Sequence, residues 1–378
     1  MRRVLLYIAT YDMTVPGTGS SIRGASLLKY LSRHYDVHLL FMEGFGHDPK
    51  RSNIRQKAFI PERVKSVERI SYSDKGFFIY EPNMCRRAFA IAERENVGFV
   101  FADFSNSSIY ARMLKRRYGI PYVYSTHNVE YKRYIDFGKR DWRRFPLVPY
   151  VYWWERSGCK DALLTVAITD EDSAIFGRWT DRVMIIPGGF DESVMNPFYD
   201  DPPDEPPIIL FVGNYNNPGN RQAVYLARER IVDKVLAEMP EVRFQFVGAN
   251  PPQDIDHPQM EFPGFVENVL PYWQRANLVM VPVVEGGGMR IKTIEALACG
   301  KPVVSTAKGM EGIPLGLPGV RIADIDNFPE ALIEALQEGK FVYRERYDRV
   351  AELFSENALM GKLQDRIEEE LLWQNSSR

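Results

Sequence analysis

Short apolar runs alternate with stretches of helical spacing along almost the whole chain, and one proline-rich acidic segment, PFYDDPPDEPP at 197–207, breaks the alternation once. In the first half, 4–9, 37–42, 97–102 and 121–125 read as strands. Residues 20–34, 83–95 and 108–118 read as helices, and 163–168 and 183–186 continue the series as strands. Alternation of this kind builds a parallel sheet covered by helices on both faces. The interruption can hold neither a helix nor a central strand, so it reads as a linker. Beyond it the pattern restarts. Strands are expected at 208–212, 242–247, 278–284 and 302–305, and helices at 221–238, 269–274, 289–299 and 327–338. Amphipathic helices are expected over 343–373. No internal repeat is visible.

A chain of 378 residues can bury two cores. The expected division is a first doubly wound domain over 1–196, the linker 197–207 and a second such domain over 208–350. Helices over 351–378 are expected to pack back towards the first domain. Two such domains in tandem imply a ligand cleft at the carboxyl ends of their strands.

Cys85, Cys159 and Cys299 lie far apart, without CxxC spacing, which fits a reducing compartment and argues against a disulfide framework or a zinc site. The sequence holds no run of 18 apolar residues, so no membrane span is expected. MRRVLLYIAT reads as the first strand rather than a signal peptide. The formal charge of −2 is unevenly spread: residues 1–200 carry a net +7, the rest −9, and 50–144 alone +11. A basic first half suits an anionic surface or acceptor, and equally a solvated basic face without a partner. Nothing in the sequence points to nucleic acid.

The chemistry concentrates in EGGGMRIKTIEALACGKPVVST, residues 285–306. A strand, the glycines Gly286, Gly287 and Gly288 and a helix start make an anion site, because unpaired N–H groups and the helix dipole face the ligand. Arg290 and Lys292 add cations where a helix start normally disfavours them, and an anionic ligand is the simplest reason. Each such contact to phosphate contributes about 1.5–3 kcal/mol. Glu295, one turn on, can accept hydrogen bonds from ribose hydroxyls. The first loop ends in Gly17, Thr18, Gly19 and Ser20 before a helix. It suits a phosphate or a sugar oxygen, or is an ordinary turn capped by serine. His127 closes the strand at 121–125, at the end that faces a ligand in such folds.

Asp-x-Asp pairs at Asp170 and Asp172, Asp254 and Asp256, and Asp324 and Asp326 read as loop or cap residues rather than holders of Mg²⁺ or Mn²⁺. Residues 139–154, KRDWRRFPLVPYVYWW, suit contact with anionic lipid. Inward packing of Val148, Val151, Tyr152 and Trp153 is the simpler expectation.

Four motifs in order carry a family resemblance: His127-Asn128-Val129-Glu130; Phe211-Val212-Gly213-Asn214; Gly264-Phe265-Val266; and the stretch from Gly287 to Gly300, followed by Pro302-Val303-Val304-Ser305-Thr306. Over essentially its whole length the chain resembles the retaining glycosyltransferases of the GT-B fold, family 4 (glycosyl transferases group 1), in a subgroup found in polysaccharide clusters. The resemblance implies an α/β fold of two Rossmann-like domains facing a central cleft, with a nucleotide-sugar donor held mainly by the second. Glu295 matches the ribose-binding glutamate, and Arg290 and Lys292 the basic pair on the diphosphate. Phe265 matches the loop beside the nucleobase, and Asn214, Gly287, Gly288 and Met289 lie in donor-binding motifs. His127 matches a histidine near the donor sugar. Gly17, Thr18 and Gly19 match the first-domain loop that reaches the diphosphate.

The implied partners are the donor and a glycan or lipid-linked acceptor, with peripheral contact to an anionic membrane. The implied place is the cytoplasm, at the inner face of the membrane, and no cofactor or metal is expected. Two departures stand out. Relatives keep an acidic residue where Gly287 stands, and Glu285 is two positions out of register. The loop after the second domain's first strand has only Arg221 nearby where relatives carry Arg and Lys. Contacts to the sugar are then expected from backbone N–H groups, Glu285 or Glu130. A nucleotide-sugar epimerase and an inactive nucleotide-sugar-binding protein are the alternatives.

Overall fold

A computed structural model describes residues 2–14, 19–43, 60–71, 80–199, 206–286, 290–339 and 342–376. Two compact units divide the chain: Met1–Pro187 together with Met360–Arg378, and Gly188–Leu359.

The first unit is built on a seven-stranded parallel sheet of order β3-β2-β1-β4-β5-β6-β7. Its strands are β1 (Val4–Ala9), β2 (Asp36–Glu43), β3 (Val64–Ser71), β4 (Val97–Asp103), β5 (Tyr122–Ser125), β6 (Leu164–Ala167) and β7 (Val183–Ile185). The central strands are near-continuous apolar runs because helices cover both faces, and β1, β4 and β5 are almost wholly buried. The charged strand β3 is half exposed along its length, as an edge strand should be, and hydropathy alone did not reveal it. Strand order reverses between β1 and β4, so the loops leaving their carboxyl ends diverge and open the ligand position of such sheets.

Local signals explain the helices. Pro82 opens one, and the Glu81 side chain accepts from the Asn83 N–H. Gly119, left-handed at φ 72°, closes the helix Ser107–Tyr118. The buried Glu155 carboxylate accepts the N–H groups of Glu130 and Tyr131 at 2.8 and 2.9 Å, capping the helix that follows His127.

The second unit holds a six-stranded parallel sheet of order β10-β9-β8-β11-β12-β13. Its strands are β8 (Ile208–Val212), β9 (Arg243–Val247), β10 (Met260–Gly264), β11 (Leu278–Val281), β12 (Val303–Ser305) and β13 (Val320–Ile322). Here the order reverses between β8 and β11. The helix expected over 221–238 starts earlier, at Pro218, where Asn217 caps Gly219 and Asn220. It also passes through a π-helical stretch, Ala227–Val232, which keeps Ala227, Ile231 and Val232 on the buried side.

The segment expected to start a linker at 197 lies within the span of the second unit. Phe190 exchanges backbone bonds with Phe354 and Glu356, the Tyr199 hydroxyl reaches the Cys299 carbonyl, and Arg344 donates to the carbonyls of Pro197 and Tyr199. Residues 200–205 lie outside the described residues. From Met360 onward the C-terminal helix Glu356–Ser376 belongs to the first unit, through Glu368 on Arg3 and Tyr35 and Gln364 on Tyr30.

The inward packing expected for 139–154 is only partly seen. Val151 and Trp154 are buried, but Trp142 is 74% exposed, Trp153 57%, and Phe145, Tyr150 and Tyr152 are also exposed. In the helix Val148–Asp161, positions 151, 154, 155 and 158 share the inward stripe, and a period of 3.6 turns Tyr150 and Trp153 outward. Among the described residues no helix is long and apolar enough to cross a membrane.

Beside the reversal in the second sheet two glycines meet. Gly248 has φ +143°, and a Cβ there would lie 1.8 Å from the Gly213 carbonyl oxygen. We predict that Gly248→Ala destabilises the protein by about 2–4 kcal/mol through this backbone clash, lowering Tm in a thermal melt. An unchanged Tm would contradict the packing described.

Candidate functional site

In the second unit the groups gather at the carboxyl ends of β8 and β11. The helix Ile291–Ala298 puts Lys292 and Glu295 on its first turns. Lys292 Nζ donates to Asn220 Oδ1 at 2.6 Å and stands 4.1 Å from the centroid of the Phe211 ring. Asn220 donates in turn to the Asn214 carbonyl at 2.9 Å. A Cβ on Gly213 would approach Lys292 Nζ to 3.0 Å, so glycine after β8 is what admits the ammonium. Likewise a Cβ on Gly219 would come 2.8 Å from the Glu285 carbonyl oxygen, so that glycine lets the 283–286 loop lie against the neighbouring helix.

Arg290 proves to be a clamp as well as a cation. Its Nη2 donates to the carbonyls of Glu285 and Gly286 at 3.1 and 2.9 Å, and its Nε to that of Lys308 at 3.4 Å. Gly286 turns the chain at φ +97° beneath it. Thr293 and Thr306 complete the lashing: Thr293 donates to the Gly309 carbonyl, and Thr306 donates to that of Val283 while accepting the Gly309 N–H. Phe211, Asn220, Thr293 and Thr306 were not singled out as side chains from sequence. Phe211 and Thr306 lie inside motifs that were, but their contacts are made across the sheet.

Burial sets the electrostatics. It pushes the Lys292 ammonium down to about 7, helped by Arg290 and opposed by Glu295. It pushes the Glu295 carboxyl up to about 7 against Lys292. Among the described residues Glu295 has no hydrogen-bond donor on its carboxylate, so it is open to a ligand's hydroxyls. Glu285 is exposed, Asn214 is exposed and Phe265 is 43% exposed. Arg221 donates to the carbonyls of Tyr215 and Asn250, so it fastens its own loop rather than adding a free cation. Gly287, Gly288 and Met289 lie outside the described residues.

In the first unit His127 follows β5 and is 7% exposed. Its Nε2 lies 2.8 Å from Oδ1 of Asp103, the last residue of β4. Glu130 pairs with Arg133 at 2.7 Å. Gly19 begins the helix Gly19–His34, and Gly17 and Thr18 lie outside the described residues. The Asp-x-Asp pairs are elsewhere: Asp170 and Asp172 sit in the first turn of a helix capped by Thr169, Asp254 accepts from Tyr225, and Asp324 caps Asn327. Among the described residues no three His, Cys, Asp or Glu side chains are grouped to hold a metal ion.

Comparison with known proteins places these features. Residues 18–194 match the family model Glycosyltransferase Family 4, and residues 206–338 match Glycosyl transferases group 1. No curated protein sequence matches the chain. Among solved structures, sucrose-phosphate synthase from Thermosynechococcus elongatus aligns with 97% of this chain and 99% of its own, at TM-score 0.67 and 18% identity. HepE from Anabaena, solved with UDP and glucose, aligns over 97% and 100%, at TM-score 0.66 and 13% identity. A glycosyltransferase from Rickettsia africae aligns over 98% and 99%, at TM-score 0.67 and 14% identity. At such identities the structures establish the fold, which is GT-B. The two family matches, one on each unit, make the chain a glycosyltransferase.

The Lys292 shift has a signed consequence. Unfolded, Lys292 keeps the ordinary ammonium value of about 10.4; folded, it titrates near 7. Between those values the unfolded chain binds more protons, so the penalty of burying this group is full below about pH 7 and is relieved as pH rises from 7 to about 10.4. We predict that Lys292→Met raises the ligand-free Tm above wild type at pH 6, with the gain shrinking as pH rises above 7 and closing only above about pH 10. A loss of Tm at pH 6 would contradict the desolvation argument.

Proposed function

We propose that this GT-B glycosyltransferase moves a sugar from a nucleoside diphosphate sugar to a hydroxyl of a glycan or lipid-linked acceptor, with retention of configuration and without a metal ion. The observation that carries the proposal is Lys292 beside Gly213 and the Phe211 ring: a cation held where burial disfavours it, at the strand ends where this fold places ligands. Natural chains keep such a charge where a ligand compensates it. The UDP and glucose bound to the similarly folded Anabaena protein are a ligand of the same class.

In this reading Lys292 and the N–H groups of Gly287, Gly288 and Met289 receive the diphosphate. Arg290 holds the carbonyls of Glu285 and Gly286 and adds its charge. Glu295 accepts from the ribose hydroxyls, and Asn214 and Phe265 flank the nucleoside. The bond from the anomeric carbon to the diphosphate oxygen breaks, and the acceptor oxygen bonds to that carbon. The acceptor's proton passes to the leaving phosphate. Charge develops on the diphosphate as the bond breaks, and fixed cations and N–H dipoles lower that barrier. From the first unit, His127 takes a sugar hydroxyl rather than abstracting a proton, Gly17, Thr18 and Gly19 offer backbone N–H groups to phosphate, and Glu130 and Glu285 are assigned to sugar hydroxyls. With those cations neutralising the diphosphate, the chemistry itself asks for no metal.

The acceptor reading draws on the first unit's surface. Exposed Trp142, Phe145, Tyr150 and Trp153 beside Arg143 and Arg144 suit a peripheral contact with anionic lipid, where a lipid-linked acceptor would be met. Three free cysteines, all buried, suit a cytoplasmic enzyme at the inner membrane face.

The test is transfer from UDP-, GDP- and ADP-sugars to a mixed glycan and lipid-linked acceptor pool. We expect one donor class to be consumed, with a product of unchanged anomeric configuration by NMR and a rate unaffected by EDTA. Lys292→Ala is expected to lower kcat/KM by about 10²–10³-fold while the protein stays folded. Near-normal turnover in that variant would overturn the assignment.

A further inference from the structure

Behind His127 the first unit contains a buried hydrogen-bond hub. Asp103 is completely buried at the end of β4. Its Oδ1 faces His127 Nε2 at 2.8 Å. Its Oδ2 receives the Tyr7 hydroxyl at 2.8 Å and the Tyr11 hydroxyl at 2.5 Å. The charged neighbour is Arg23, buried on the helix Gly19–His34, with Nη1 on the Pro187 carbonyl at 3.0 Å. Arg23 interacts electrostatically with Asp103, Tyr7 and Tyr11. Burial alone would raise the Asp103 carboxyl; the charge of a protonated His127, its hydrogen bond and the two hydroxyls outweigh burial and hold it below the usual range, and the three donors remain when the ring is neutral. Burial keeps both tyrosines protonated, so they remain donors.

The polarity of the hub fixes the histidine. An ionised carboxylate only accepts, so Nε2 of His127 carries the hydrogen. In the neutral ring Nδ1 is then an acceptor, and among the described residues nothing donates to it. The ring cannot turn freely either. Tyr11 lies edge-on to it at 5.7 Å and Phe104 at 5.4 Å. Phe104 follows Asp103 at φ +75°, a left-handed conformation that is strained for a bulky residue. Its N–H is held on the Ser125 carbonyl at 3.0 Å. Strain of that kind persists where surrounding contacts impose it. Gly24 completes the seat, since a Cβ there would meet the Tyr11 hydroxyl at 2.1 Å and Asp103 Oδ2 at 3.0 Å.

We propose that Asp103 is a positioning residue for His127: it fixes the imidazole as the Nε2–H tautomer and locks its rotation, with Phe104 as the second jaw, so that Nδ1 is presented as an acceptor to a sugar hydroxyl. The sugar half of this statement rests on the proposed transferase reaction; the tautomer half does not. An acceptor at this position favours a ligand hydroxyl and disfavours a phosphate oxygen, which would ask for a donor.

The test is ¹⁵N-histidine NMR on the full chain, paired with kinetics. His127, identified by loss of its signals in His127→Gln, is expected to show the Nε2–H tautomer for its neutral ring in the wild type. In Asp103→Asn we expect a mixture of tautomers and a fall in kcat of at least tenfold, with KM for the donor within about threefold. Lys292→Ala should leave the His127 signals unchanged. The Nδ1–H tautomer in the wild type would overturn the proposal whether or not Asp103→Asn folds, as would unchanged His127 signals and kcat in a folded Asp103→Asn. Correct tautomers with no transfer from any donor would instead count against the reaction and leave the positioning intact.

Discussion

A lysine ammonium held over an aromatic ring, with Asn220 as its hydrogen-bonded partner, is the contact around which the second unit is arranged. Burial disfavours that charge, and the surrounding chain makes room for it rather than removing it. Gly213 leaves the space, Asn220 ties the ammonium to the Asn214 loop, and Arg290 pulls the carbonyls of Glu285 and Gly286 into a turn beside it. A methionine would be cheaper in the ligand-free protein. Keeping a lysine trades stability for electrostatic preorganisation, which is how a site that stabilises a developing anion is expected to look.

The first unit repeats the principle with the opposite sign. There the buried charge is a carboxylate, at the point where its own sheet reverses strand order. Asp103 has three donors and a buried guanidinium beside it, and its effect is exerted on a histidine rather than on a ligand. In both units the parallel sheet does the same work. It buries apolar strands on both faces and leaves polar and charged groups at the carboxyl ends, where neighbouring loops diverge.

The sequence made the strand and helix alternation legible because buried parallel strands are unbroken apolar runs. The stretch 285–295 stood out as a feature to be explained, because glycine and cations at a helix start need a reason. What it could not show are contacts made across the sheet. His127 and Asp103 are 24 positions apart, and Lys292 and Asn220 are 72 apart. The role of Arg290 as a clamp was hidden for the same reason, since its partners are backbone carbonyls that any residue supplies. The charged edge strand β3 escaped because its alternation is polar on one side only weakly. The boundary was drawn at 196, before a linker at 197–207, because proline and acidic content marks an irregular segment without saying what it packs on; the second unit begins at Gly188. The aromatic segment at 139–154 was misjudged on exposure: the helical stripe that buries Val151 and Trp154 turns Tyr150 and Trp153 outward.

The central claim is that the turn at Gly286 and the helix Ile291–Ala298 form a nucleoside diphosphate site. The most direct measurement is a thermal-shift titration of the full chain with UDP, GDP and ADP, beside inorganic phosphate at the same ionic strength. A ligand that binds only the folded protein raises Tm with its concentration. The account predicts that one nucleoside diphosphate raises Tm in a saturable way, that phosphate does not match it, and that the shift weakens as pH rises from 7 to 9 and Lys292 loses its proton. No saturable shift with any of the three nucleotides, or a shift that is independent of pH across that range, would contradict it.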